Sequence, residues 1–345
     1  MDALLSPLPG APRPRADVPR VIDMHGHCGA PEAAALLEGR PERIAERQAM
    51  AASSGAASMR HNLQVMLPAA FQRFAALDKR LEDLALMGVD LQVVAPSPDL
   101  YAYWADAALA ADLVAEANRA VLALVARAPD RLAGLGLVAL QHPELAADQL
   151  RAAMAAGLRG VEISASVGAL ELSDRAFDPV WAAAQETGAV VFMHPLGSSL
   201  GARLEAFYLS NTIGQPAETT IGLSHMIFGG VFDRFPGLRV VGAHGGGYLP
   251  AYIGRSDHAW AVRPEARGCA RPPSEYLRNI WVDTVVMEAD QLSALVARMG
   301  ADRVMFGTDY PFDMSDCRPD LVAAGLAADD RAAVMGGTAA ALFGV

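Results

Sequence analysis

Along the chain, short and nearly unbroken apolar runs alternate with longer stretches in which apolar residues recur at helical spacing. The first run is VIDMHGHCG, Val21–Gly29, where Val21, Ile22 and Met24 are apolar and Asp23, His25 and His27 occupy alternate positions. Side chains alternate faces along a strand, so this pattern predicts a strand whose two imidazoles point the same way, about 6–7 Å apart. Seven further strands are predicted at Leu91–Pro98, Leu132–Leu140, Gly160–Ser166, Ala189–Pro195, Leu238–Gly247, Asn279–Thr284 and Arg303–Pro311. Between them the spacing predicts helices over Ala33–Leu37, Pro41–Ala51, Phe74–Met87, Asp106–Ala128, Pro143–Ala156, Arg175–Thr187, Pro216–Phe232, Tyr248–Ala261 and Ala289–Met299. Two more helices are expected in the tail, over Asp320–Val334 and Gly337–Phe343, while Ser53–Asn62 (SSGAASMRHN) reads as a mobile loop.

Strands that are apolar on both faces belong in a parallel sheet covered by helices. Strict alternation of strand and helix implies right-handed crossovers. Eight such units in one chain predict the α/β class and a (β/α)8 TIM barrel. It is distorted by an N-terminal extension (residues 1–20) and an insertion after strand 1, with residues 21–345 forming a single barrel domain. A doubly wound open sheet is the alternative; no G-x-G-x-x-G follows the first strand to support it.

Composition narrows the setting. No apolar run reaches the ~18–20 residues that span a bilayer, and the Pro-rich start lacks the basic and apolar regions of a signal peptide. Residues 1–20 read as a flexible arm, or as a segment lying on a neighbouring surface. Three cysteines, Cys28, Cys269 and Cys317, do not make a disulfide framework and suggest a reducing, cytoplasmic setting. A net charge of −11 argues against nucleic-acid binding. It leaves room for a small anionic substrate, which needs only local arginines.

In a barrel, chemistry sits at the C-terminal strand ends. Strand 1 ends in His25 and His27, strand 5 in His194, strand 6 in His244 and strand 8 in Asp309, so four of the eight histidines occupy such ends. Three imidazoles and a carboxylate suit Zn2+, with Mn2+, Fe2+ or Co2+ as substitutes, and a catalytic site keeps one position open. His244 is then cast as an acid/base beside the metal, because imidazole titrates near working pH; Gly245, Gly246 and Gly247 next to it allow close approach of backbone or ligand. Two-metal barrels are often bridged by a modified lysine on strand 4, but the only lysine is Lys79, on an early helix. Glu162 on strand 4 could bridge instead, or pair with an arginine; the working expectation is a mononuclear site. Cys28 is either a further ligand or a packed thiol, and Tyr103 and Trp104 either line the pocket or pack within the loop after strand 2.

These residues resemble the metal-site pattern of the amidohydrolase superfamily. Longer strings are similar to its decarboxylase branch, the amidohydrolase-2, or α-amino-β-carboxymuconate-ε-semialdehyde decarboxylase-like, family. They are SPDLYAYWA (Ser97–Ala105), GLGLVALQHPELA (Gly134–Ala146), PAETTIG (Pro216–Gly222), MIFGGVFDRFPGLRVVGAHGGGYLPAYIGRSDH (Met226–His258) and FGTDYPF (Phe306–Phe312). The resemblance covers about Val21 to Gly344. It implies that His25, His27, His194 and Asp309 bind the metal and that His244 is the acid/base, with Asp309 as the other group able to give the proton. It also implies that Arg255, in the helix after strand 6, binds substrate carboxylate across a homodimer interface; an interface ion pair is the plainer alternative. The family's second arginine, in the loop after strand 1, matches either Arg60 or Arg73. Asn211 stands where those decarboxylases carry a pocket tryptophan, so the metal chemistry carries over better than the substrate.

The function expected is metal-dependent, non-oxidative decarboxylation of an unsaturated or aromatic carboxylic acid of the ring-cleavage or hydroxybenzoate type. The alternative is hydrolysis or hydration of a ring-cleavage product at a C–C, C–N or C=C bond. A binding protein that merely retains the barrel is the non-enzymatic reading.

Overall fold

A computed structural model of the protein describes residues 18–318 and 323–345. The expected arm therefore lies outside the described residues apart from Val18, Pro19 and Arg20, as does the expected tail helix at its Asp320 end.

Eight parallel strands follow one another in sequence order: β1 (Ile22–Cys28), β2 (Leu91–Pro96), β3 (Leu132–Gly134), β4 (Gly160–Ile163), β5 (Val190–Met193), β6 (Arg239–Gly242), β7 (Ile280–Asp283) and β8 (Val304–Met305). Regular ladders join β1–β2–β3 and β4–β5–β6–β7–β8. Two narrow seams complete the ring. Gly136 bridges to Val161, with Gly136 N donating to Gly160 O at 3.0 Å and Glu162 N to Gly136 O at 2.8 Å. Gly26 bridges to Tyr310, with Met24 N donating to Phe306 O at 2.9 Å and His27 N to Tyr310 O at 2.7 Å.

Strands 3 and 8 are shorter than their apolar runs because other groups take over the backbone. Beyond Gly134, the Asn118 amide replaces a neighbouring strand: Leu137 N donates to Asn118 Oδ1 (2.7 Å) and Asn118 Nδ2 to Leu137 O (3.1 Å). Beyond Met305, Phe306 N donates to Val334 O (2.8 Å) and Thr308 N to Asp23 Oδ1 (3.0 Å).

Strand β1 departs from simple alternation. Its register against β2 slips between Asp23 and Gly26, pairing Ile22 with Leu91 but His27 with Ala95. This bulge places His27 on the face shared by Ile22, Leu91, Val93 and Ala95, all in one buried cluster or beside it. Asp23 Oδ1 accepts from His25 N (3.0 Å), serving an amide that the slip removes from the ladder.

The insertion after β1 is helical where a loop is predicted. Helix Pro41–His61 runs through a π turn, Asn62–Met66, into Leu67–Ala75, with one break at Gly55 (φ 78°, ψ 155°). Alanine-rich sequence favours helix on both sides. Gly55 supplies the break and the contact, since a Cβ there would lie 1.9 Å from Glu205 O in the loop after β5. His61 Nε2 pairs with Asp313 Oδ2 at 2.8 Å, tying the same insertion to the loop after β8. Among the described residues no helix is long and apolar enough to cross a membrane.

Candidate metal centre

His25, His27, His194 and Asp309 are all buried, and one donor atom from each lies within 4.8 Å of the others. His25 Nε2 and His27 Nε2 are 3.1 Å apart; Asp309 Oδ1 lies 3.4, 3.2 and 3.9 Å from the Nε2 atoms of His25, His27 and His194. Donors bonded to one ion at ~2.0–2.2 Å sit at about this spacing. Both ring nitrogens of His194 are buried without a hydrogen-bond partner among the described residues, and a bound ion would account for Nε2, the nitrogen that faces Asp309. Burial first, then the neighbouring imidazoles, hold the His194 pKa well below the usual value, in the neutral form a metal requires.

The backbone that presents these groups is specialised. Asp309 adopts φ 61° and His244 φ 55°, left-handed values that Asp and His tolerate better than most side chains. His244 opens a run of four left-handed residues, so the glycines after it are a conformational need; a Cβ at Gly247 would lie 2.2 Å from Pro216 O. His244 Nε2 stands 3.6 Å from Asp309 Oδ2, the oxygen turned away from the tight donor set. Burial disfavours charge on His244, but Asp309 and then Asp283 outweigh it and raise its pKa above the ordinary histidine value. For Asp309, burial alone would raise the pKa, yet His25, His244 and His27 hold it well below the ordinary value.

Asp283, at the end of β7, organises the centre although the sequence reading passes it over. Its Oδ2 accepts from His25 Nδ1 (2.7 Å) and His244 N (2.9 Å); its Oδ1 accepts from Gly245 N (2.8 Å) and Val285 N (3.1 Å). Burial would raise its pKa, but the bond to His25, the nearby charge and the Gly245 amide lower it below the usual carboxylate value. Asp283 thus keeps the proton of His25 on Nδ1, leaves Nε2 free to bind a metal, and pins the strained turn of His244. All four neighbours are donors, whereas an asparagine has one acceptor oxygen. Asp283→Asn therefore sets its NH2 group against two N–H groups in either orientation. We expect metal affinity to fall ~10–100-fold, measured by competition with a chromophoric chelator; affinity within twofold of the native chain would count against this role.

The remaining candidates fall as follows. Glu162 is buried and meets no arginine among the described residues; Tyr101 OH donates to it at 2.8 Å. The cluster at ligand spacing includes neither Glu162 nor Cys28, whose buried thiol is pushed up to about 12. Lys79 pairs with Glu82 and Asp83 on its helix. Tyr103 OH accepts from Ser164 N at 3.1 Å, and Trp104 is half-buried with its indole N–H unpartnered. Arg73 Nε donates to Asp83 Oδ2 (2.9 Å) and Arg60 is exposed. Two arginines of this region are buried, Arg43 and Arg80, and the sequence reading singles out neither; Arg43 pairs with Asp99, and Arg80 Nη2 donates to His27 O at 2.6 Å. Asn211 is half-buried, and Arg255 is exposed on helix Leu249–Val262. The Phe312 ring lies tilted 5.4 Å from the His27 ring and Phe74 meets Phe312 edge-on at 5.8 Å, an aromatic wall reaching out from the centre.

A family model described as amidohydrolase matches residues 22–345. The chain is 37% identical over 245 residues to a 2-amino-3-carboxymuconate-6-semialdehyde decarboxylase of Dictyostelium discoideum, covering 70% of this chain and 68% of that one. It is 30% identical over 253 residues to a gamma-resorcylate decarboxylase of Rhodococcus jostii, covering 68% and 77%. Among solved structures, 5-carboxyvanillate decarboxylase from Sphingomonas paucimobilis superposes with a TM-score of 0.82 at 26% identity, over 94% of this chain and 99% of that one. A dihydroxybenzoic acid decarboxylase from Polaromonas, solved with manganese and 2-nitroresorcinol, has the same fold (TM-score 0.77, 22% identity, 94% and 97% coverage).

Proposed function

This chain belongs to the amidohydrolase family, and on that premise we propose that it is a metal-dependent carboxy-lyase acting without oxidation on an unsaturated or aromatic carboxylic acid. The observation that carries the reading is the four-donor cluster with His244 held beside it by Asp283. Relatives named as decarboxylases of a semialdehyde acid and of a resorcylate support the reaction class.

Three imidazoles and one carboxylate fit a single divalent ion. Manganese in a solved neighbour makes it a first choice to test, with zinc, iron and cobalt beside it. Such an ion, when bound, supplies a Lewis acid toward a substrate oxygen and offsets the negative charge that builds as carbon dioxide leaves. In the step itself the bond from carbon to carboxylate breaks, and its electron pair stays on carbon. A proton replaces the lost group, so no oxidant or reductant is needed. His244 Nε2, facing Asp309 Oδ2 at 3.6 Å, holds that proton, and Asp309 Oδ2 is the second place it can reside. Phe312 and Phe74 give a planar substrate an apolar wall.

On the substrate side we assign Arg255, Asn211 and Trp104. Arg255 forms no hydrogen bond or ion pair among the described residues, which suits a residue offered to a second subunit of a homodimer. Arg73 has to leave Asp83 before it can take part.

The test is a screen of hydroxybenzoates and ring-cleavage semialdehyde acids with the Mn2+- and Zn2+-loaded protein, following ultraviolet absorbance and released CO2 together. CO2 in step with loss of substrate is the expected result. A second organic fragment, or water addition without CO2, would replace this reading by hydrolysis or hydration.

A further inference from the structure

We propose that Glu162 is a positioning residue for the metal ligand His27, accepting its Nδ1 proton as Asp283 accepts that of His25. The inference rests on the assignment of His27 as a ligand.

His27 turns Nε2 toward the other donors, 3.1 Å from His25 Nε2 and 3.2 Å from Asp309 Oδ1. A neutral imidazole that ligates through Nε2 carries its hydrogen on Nδ1. That Nδ1 is buried and without a hydrogen bond; Glu162 Oε2, equally buried and equally unpartnered, lies 3.7 Å from it. A donor and an acceptor, both cut off from water, face each other about 0.5 Å beyond bonding distance.

The far side of Glu162 is already anchored. Its Oε1 lies 2.8 Å from Tyr101 OH, which is also 2.9 Å from the carbonyl of His194. Tyr101 stacks on Tyr103 (5.5 Å between centroids, 13° between planes). Between them Ala102 takes φ 41°, a left-handed value unusual for alanine. This loop after β2 therefore seals Glu162 from solvent and leaves its second oxygen facing His27, with no hydrogen-bond partner among the described residues. The centre then rests on two carboxylates outside the ligand set, Asp283 behind His25 and Glu162 behind His27. His194 has no equivalent, since its Nδ1 lacks a partner.

The test uses the full chain with Mn2+ and Zn2+, measuring affinity by chelator competition, and records the visible absorption of the Co2+-loaded protein. Glu162→Gln can still accept from His27, while its NH2 donates to Tyr101 OH, whose hydrogen turns to the His194 carbonyl; it removes the charge and keeps an acceptor for His27. Glu162→Leu removes the acceptor as well. Affinity is expected to fall ~10-fold for Gln and ~100-fold for Leu, with shifted Co2+ bands in both. Tyr101→Phe, which leaves the His27 contact in place, is expected to stay within about threefold. The metal-free melting temperature of Glu162→Gln should match the native chain; if Leu does not fold, Gln decides. Native affinity and unshifted bands in Gln, and in Leu where it folds, overturn the proposal. If the native chain binds none of the three ions, the ligand assignment fails first and this inference with it.

Discussion

His194→Ala is expected to lose metal binding while leaving the metal-free protein as stable as before. Among the described residues the His194 side chain makes no hydrogen bond, so its buried nitrogens gain nothing for the fold without an ion. Its backbone contribution, His194 N donating to Ile163 O at 2.9 Å, survives the substitution. Asp309 is a poorer probe of the same question, because its carboxylate also lies 3.4, 3.2 and 3.6 Å from nitrogens of His25, His27 and His244. The loss of affinity should exceed the ~10–100-fold typical of an outer partner. In thermal melts, the native chain should gain ~2.7 kcal/mol when metal stands at 100 times Kd, and His194→Ala should gain nothing at the same concentration. Turnover should fall with occupancy. A variant that melts and binds metal like the native chain would remove His194 from the ligand set.

The residues that make this centre were legible to the extent that strand ends are legible. His25, His27, His194, His244 and Asp309 each close an apolar run, and a parallel barrel gathers such ends at one rim. The same rule reaches Asp283, at the end of NIWVDT, but an acidic residue after a strand is common and only its four donors reveal its work. Glu162 was visible as a polar residue on β4, but its partners were not, because Tyr101 reaches it from the loop after another strand. The slip in β1 is hidden as well: VIDMHGHCG reads as clean alternation, and only pairing with β2 shows the added residue. The insertion misled through Gly55 and its serines, which look like a loop until the contact with Glu205 explains why one glycine interrupts a helix. Arg73 shows the limit for charged side chains, since the resemblance offered it, beside Arg60, to substrate and folding paired it with Asp83.

His244→Asn should keep the metal and lose the reaction. The choice of asparagine follows from the backbone: at φ 55° and ψ 50° it tolerates the left-handed turn that would strain alanine. Its amide can still donate to Asp283 Oδ2, so the support behind His25 stays in place. What disappears is the imidazole facing Asp309 Oδ2, and with it a group able to hold and release a proton near working pH. Loss of a positioned acid/base costs ~10²–10⁴-fold in rate. We expect kcat to fall by that factor, KM to change little, and affinity for Mn2+ or Zn2+ to stay within about twofold. Because proton delivery would then depend on Asp309 alone, the pH–rate profile should lose the limb that belongs to His244. Turnover within tenfold of the native chain, at full metal occupancy, would move the proton to Asp309 and leave His244 only a place in the wall of the site.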